Sequence, residues 1–181
     1  MLQHDRDRSP QFTHPPRARM AHARLPLLDR LLDEAPDDPI DPPLSAAAAM
    51  AMLRASVQRD LEALLNARRR WQSWPVHLDQ LPLSSLGYGL PDFTAGALND
   101  PAQREWLRAE IEATIRRFEP RLATLRVASL DSRDPLEPRL RLRIEALLHA
   151  EPGDEPVTFE TVVDATTAEV TLRDGGARQD V

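Results

Sequence analysis

Lysine is missing from this 181-residue chain: all 23 basic residues are arginine, set against 29 acidic residues for a net charge of −6. Its absence excludes Schiff-base chemistry and the lysine grip of a P-loop. It also favours bidentate guanidinium–carboxylate contacts of the kind found at protein interfaces. Cysteine is missing too, which excludes a disulfide framework, a thiolate zinc site and a cysteine nucleophile, and is compatible with the cytoplasm. No stretch approaches the ~20 apolar residues of a membrane span. The first 24 residues mix Arg, Asp, His and Pro without the apolar run of a secretory leader. An acidic balance opposes general affinity for nucleic acid. The five histidines, at 4, 14, 22, 77 and 149, show no ligand spacing. The expectation is a soluble, cytoplasmic chain with no cofactor, no metal, no nucleic-acid partner and no direct membrane insertion.

Eight of the 17 prolines fall within the first 43 residues. Residues 1–24 are therefore expected to form a disordered tail. Within 25–43, "LPLLDRLLDEAP" predicts a short helix, with Pro26 in its first turn, Leu27, Leu28, Leu31 and Leu32 on one face and Pro36 limiting it. So short a helix needs a surface to lie on. Its own domain is the simplest surface, and another subunit is the alternative; "PDDPIDPP" follows as a stiff linker.

From 44 to 174 the pattern is that of one domain. A long helix is expected over about Ser45–Arg69, with Ser45 as N-cap and Met50, Leu53, Val57, Leu61, Leu64 and Leu65 as its apolar stripe. The cations of "NARRR" sit where a helix dipole favours them. After a long connection rich in Trp, Pro and Gly, Asp100, Pro101 and Gln103 start a second helix. Its stripe is Leu107, Ile111, Ile115 and Phe118, and Arg104, Glu105, Arg108, Glu112, Arg116 and Arg117 pair on the outside. The period then changes to two. Strands are expected around Leu125 and Val127, over "RLRLRIEALL", over "VTFETVVD" and over "AEVTLRD". Helices first and strands later predict an α+β fold: two main helices on a small, largely antiparallel sheet of about four strands, with edges among 122–130 and 157–172. Residues 175–181 are expected to be frayed.

The helix-to-strand corner, "IRRFEPRLATLRV", places Glu119 and Arg121 around Pro120. Proline ends the helix near Phe118, and residues two apart in an extended segment project to one side. The pair is either an internal salt bridge or a polar hook for a partner. Catalysis is the remote third option. An exposed pair contributes only ~0.2–1 kcal/mol. A second "LEPRL" at 136–140 lacks a preceding helix and merely opens a strand.

Three stretches, "SVQRDLEALLNARRR", "YGLPDFT" and "IEATIRRFEPRL", together with the strands and "LPLLDRLLDEAP", resemble the TssE family of type VI secretion baseplate subunits. That family is similar to the lysozyme-like wedge proteins of contractile phage tails. The likeness extends over about residues 25–174, although Ser84, Ser85, Leu86 and Gly87 replace the Ser-Leu-Leu-Asn usual before the Tyr-Gly. The resemblance implies a structural protein on the cytoplasmic side of the inner membrane, docking with TssF and TssG and providing a platform for the sheath proteins TssB and TssC. TssK is a further candidate partner. The family's docking motif maps onto Glu119, Pro120 and Arg121. A wedge protein of a phage-tail-like particle is the alternative. A glycosidase is the remote one: general-acid duty needs a carboxyl kept protonated by an apolar pocket, with a second carboxylate opposite, whereas a neighbouring arginine favours the ionised form. No enzymatic activity is expected.

Overall fold

The computed structural model describes residues 27–31, 45–70, 73–75, 77–93, 98, 100–130, 139–150 and 153–175. The expected tail over 1–24, the linker "PDDPIDPP", Glu137 and Pro138 of the second "EPR", and residues 176–181 lie outside them. Two helices carry the core. Ser45 caps helix α2 (Ala46–Asn66) by accepting from Ala48 N, and Asp100 caps α3 (Pro101–Phe118) by accepting from Ala102 N, with Pro101 in the first turn. Each buries one stripe at helical spacing: Ala49, Leu53, Val57, Leu61 and Leu65 from α2, and Leu107, Ile111 and Ile115 from α3. A five-residue helix, α1 (Leu27–Leu31), precedes them.

Four strands, β1 (Leu122–Ser129), β2 (Arg139–Leu148), β3 (Glu155–Asp164) and β4 (Glu169–Asp174), form an antiparallel meander in the order β1-β2-β3-β4. Together with the helices this is the expected α+β arrangement. The alternation in "RLRLRIEALL" is realised residue by residue. Leu140, Leu142, Ile144, Ala146 and Leu148 are buried in the same cluster as the helix stripes. Arg139, Arg141, Arg143 and Glu145 occupy the opposite face, where Arg139 meets Asp164 at 2.9 Å and Arg143 meets Glu160 at 3.4 Å.

Helix α2 stops three residues before the expected Arg69. Ala67 is extended, and a parallel bridge joins Arg68 to Leu90. Arg69 N donates to Leu90 O and Leu90 N to Ala67 O, each at 2.9 Å. Gly89 makes that approach possible: its φ is +98°, and a Cβ there would lie 2.5 Å from Ala67 O. Arg68 then does what a cation at a helix end does best, donating to Leu65 O at 2.9 Å while its guanidinium lies 4.5 Å from the Phe93 ring centre.

The sheet edges are β1 and β4. Residues 157–164, among the expected edge candidates, belong instead to an interior strand; Thr158 pairs with Glu145 of β2, and its carbonyl accepts from Gly175 N just past β4. Both true edges are occupied by helix side chains. The amide of Asn66 donates to Val170 O at 2.8 Å and accepts from Val170 N at 2.9 Å, as a neighbouring strand would. Gln58 adds a bond to Leu172 O at 3.3 Å, and Arg68 reaches Ala168 O. On β1, Arg116 donates to Leu125 O at 3.0 Å, Arg108 donates to Val127 O at 2.9 Å, and Glu112 accepts from Val127 N at 3.4 Å. The outer arginines and glutamate of α3 thus pair along the helix as expected, through Arg108–Glu105, Arg108–Glu112 and Arg116–Glu112, and also blunt an edge that would otherwise recruit another chain.

Asn66→Ala removes both bonds to Val170. The expected outcome is a loss of ~2 kcal/mol, faster hydrogen exchange at the Val170 amide, and concentration-dependent self-association by analytical ultracentrifugation. A monomeric variant with unchanged exchange would show that the side chain does not guard this edge.

Candidate functional site

The corner is built from the end of α3 and the start of β1. Glu119 closes the helix by donating its own N–H to Ile115 O at 2.8 Å, and Leu122 N returns to Glu119 O at 3.2 Å. Pro120 between them is exposed, whereas Glu119 is buried at 5% exposure. Its carboxylate turns inward onto Arg121. Oε1 accepts from Arg121 Nε at 2.6 Å and from the Arg121 backbone N–H at 3.3 Å, and Oε2 accepts from Nη2. Glu119 and Arg121 thus stand side by side, and they form an internal salt bridge rather than two free prongs.

Arg121 does not stop at Glu119. Nη2 also donates to Asp60 Oδ2 on α2 at 2.7 Å, and Nη1 approaches Ser56 Oγ at 3.3 Å. From Ser56 the network runs to α1: the Ser56 hydroxyl donates to Asp29 Oδ2 at 2.6 Å, and Arg59 bonds Asp29 Oδ1 at 2.9 Å and Asp60 Oδ1 at 3.2 Å. One chain of polar contacts therefore ties α1, α2, α3 and β1 together at this end of the molecule. The hydrogen bond to Glu119, then that to Asp60, push the Arg121 guanidinium well above its ordinary pKa despite burial. Burial alone would raise the Asp29 carboxyl, yet hydrogen bonds from Ser56 and Arg59 and the charges of Arg59 and Arg121 take it below the usual aspartate value.

Helix α1 docks the opposite way round from its leucine pattern. Asp29 faces the body of the domain, while Leu27, Leu28 and Leu31 are 69%, 56% and 71% exposed. The surface beneath offers Ser56 and Arg59 rather than an apolar groove, and five residues cannot bury both faces. Leu32 lies outside the described residues.

Beside the corner is an open depression of about 410 Å³ lined by Asp60, Leu64, Tyr88, Phe118, Glu119, Pro120 and Arg121. Tyr88 and Phe118 meet edge to face, with centroids 5.4 Å apart. Phe118, expected in the core stripe, is only partly buried because it forms this wall. Of the long loop's aromatics, Phe93 is buried and Tyr88 is 38% exposed. Sequence reasoning missed Ser56, Asp60 and Asp29. Ser56 carries the one readable signal, a polar residue in phase with Leu53 and Val57 on a buried stripe. Among the described residues no His, Asp or Glu cluster could hold a metal ion, and no helix is long and apolar enough to cross a membrane.

Burial raises the energetic weight of the pair above that of an exposed one. Arg121→Met strands a buried carboxylate and is expected to cost ~3 kcal/mol in urea unfolding. Glu119→Gln combined with Arg121→Met should recover part of that loss, and a double variant no more stable than Arg121→Met would refute the coupling. For Asp29, a depressed folded-state pKa means that its contribution is complete above about pH 4 and is lost as pH falls through the folded value. Leu28 methyl resonances should report release of α1 below about pH 4, and Asp29→Asn should release it already at pH 7.

A search of curated proteins gave no match. The family described as baseplate wedge protein gp25 matches residues 51–153, more than half of the chain. The match takes in Ser56, Asp60, Tyr88 and the whole Glu119–Pro120–Arg121 corner, and it ends before β3. With the two helices, the sheet and this corner in place, the chain belongs to the baseplate wedge protein gp25 family, to which TssE also belongs.

Proposed function

We propose that the protein is a TssE-type wedge subunit of a type VI secretion baseplate, a structural part rather than an enzyme. It docks with TssF and TssG, with TssK as a further neighbour, and gives the sheath proteins TssB and TssC their platform. The observation that carries this reading is the family match together with the corner inside it. A proline-stiffened junction, with Pro120 exposed at its tip and an ion-pair network behind it, offers a partner a pre-organised surface. Docking at Glu119, Pro120 and Arg121 then has a division of labour. Glu119 and Arg121 hold the shape, and Pro120 with the adjoining notch makes the contact. The three stretches "SVQRDLEALLNARRR", "YGLPDFT" and "IEATIRRFEPRL" carry the resemblance to TssE; a wedge protein of a phage-tail-like particle is the alternative, and sheath, TssF and TssG genes beside this one would decide for secretion.

A platform for the sheath by simple strand addition would have to displace side chains already seated on both edges. Gly175 N donates to Thr158 O at 2.8 Å, so by antiparallel alternation Thr171 directs its N–H towards β3, and the N–H groups of Val170, Leu172 and Asp174 face outward from β4. The engaged edges favour side-chain contacts with TssB and TssC over backbone pairing.

Pro120→Glu places a charge on the exposed tip and keeps both members of the salt bridge, and its melting temperature reports whether losing the proline has loosened the corner. The expected outcome is a melting temperature within a few degrees of wild type and loss of TssF and TssG on co-purification. Retention of both partners would reject the corner as the docking site. Peptidoglycan zymography should show no lysis; lysis abolished by Glu119→Gln would overturn the structural reading.

A further inference from the structure

The notch beside the corner has a chemistry of its own. Its walls are the aliphatic Leu64, the rings of Tyr88 and Phe118, and Pro120; its polar rim is Asp60, Glu119 and Arg121. The connected network behind it contains three carboxylates, Asp29, Asp60 and Glu119, against two guanidiniums, Arg59 and Arg121. One negative charge is left uncompensated, and two of the three acids line the notch. Arg121 is committed through Nε and Nη2 to Glu119, through Nη2 to Asp60 and through Nη1 to Ser56. The carboxylates still have acceptor positions, since each can take about four hydrogen bonds. The Tyr88 hydroxyl has no hydrogen-bond partner among the described residues. Burial, then the charges of Asp60 and Glu119, hold that phenol above its ordinary pKa.

Resting on the wedge-docking reading above, we propose that the notch between Asp60, Tyr88 and Glu119 receives an arginine side chain from the protein that docks on the corner. The aliphatic stem would lie along Leu64 and the aromatic walls, as arginine stems do on apolar surface, while the guanidinium fork spans Asp60 and Glu119 and donates to the Tyr88 hydroxyl. A lysine could not bridge two carboxylates in one plane. An acidic side chain would face the surplus of like charge, and an apolar one would leave the rim acceptors covered and unanswered. The same recipe holds an arginine elsewhere in this chain: Arg68 lies 4.5 Å from the Phe93 ring centre, with the charge of Asp92 acting against the burial that lowers its pKa.

Two measurements on the full chain test this. In an NMR titration, Nα-acetyl-arginine amide should shift the Tyr88 and Phe118 ring resonances in a salt-sensitive way. Nα-acetyl-citrulline amide, the same shape without the charge, should bind at least about tenfold more weakly. Equal binding of the two probes, or no shift with either, overturns the proposal. In TssF–TssG capture, Tyr88→Arg fills the notch with the chain's own guanidinium and should weaken retention at least about tenfold with melting unchanged. Asp60→Asn serves as the second variant and should act in the same direction. Tyr88→Arg and Asp60→Asn proteins that keep both partners, while Pro120→Glu loses them, would leave the docking corner standing and remove the arginine. A wild-type chain that captures neither partner, yet selects arginine over citrulline, would place the failure in the named partners and keep the chemistry of the notch.

Discussion

The guanidinium of Arg121 is the contact on which the arrangement of helices depends. Glu119 arrives at the corner because Pro120 ends α3 there, and its carboxylate is turned into the protein. A buried carboxylate without a cation would cost several kcal/mol, so the corner is tenable only while Arg121 stays in place. Because Arg121 also holds Asp60 and approaches Ser56 on α2, satisfying Glu119 fixes the separation of the two helices at this end. The core stripes can then meet the sheet in one register. Helix α1 joins through the same network, at Asp29, which accepts from Ser56 and Arg59.

A second constraint follows from the size of the sheet, four strands among the described residues. A meander of this size has two edges and few residues to protect them. This chain uses its helices for the purpose: each helix packs its apolar stripe on the sheet and extends polar side chains over one edge. Asn66 is the clearest case, since its amide supplies both a donor and an acceptor to Val170. On the other side the i,i+4 ion pairs of α3 have a further partner in β1, which explains why so many charges lie on a helix that is itself partly buried. The burial of Glu112 would raise its pKa, but the Val127 N–H and the two arginines hold it below the usual carboxylate value.

Local rules made much of this legible. Caps at Ser45 and Asp100, the period-two run from Arg139 and the proline at 120 are signals that span a few residues, and the helices and strands appear where those signals put them. What escaped involves partners far apart in the chain. Nothing in the neighbourhood of Arg121 points to Asp60, 61 positions away, or to Ser56, 65 positions away. The end of α2 moved from Arg69 to Asn66 because Leu90 competes for the backbone of residues 67–69, and only Gly89 permits that approach. The seat of α1 on its own domain depends on distant residues in the same way. Its leucine face was visible, but the polar ground beneath it belongs to another helix. The edge strands could not be ranked from order alone, since a meander and a crossed sheet carry the same alternation.

The corner's stiffness bears directly on binding. Association costs conformational freedom in every side chain and loop that it immobilises, so a surface already held by proline and a saturated guanidinium concedes little on docking. Here the rigid part is inside and the contact part outside. Arg121 commits its hydrogen bonds to the protein and Glu119 most of its own, whereas Pro120, the half-exposed Tyr88 and the notch between α2 and α3 remain open. A motif in this chain can therefore be necessary for assembly chiefly through the frame that its charged residues hold, because removing either of them releases the surface that the frame presents. Loss of docking in a Glu119 or Arg121 variant and loss of stability are then two readings of one event, and only substitutions at the exposed tip or the notch distinguish contact from support.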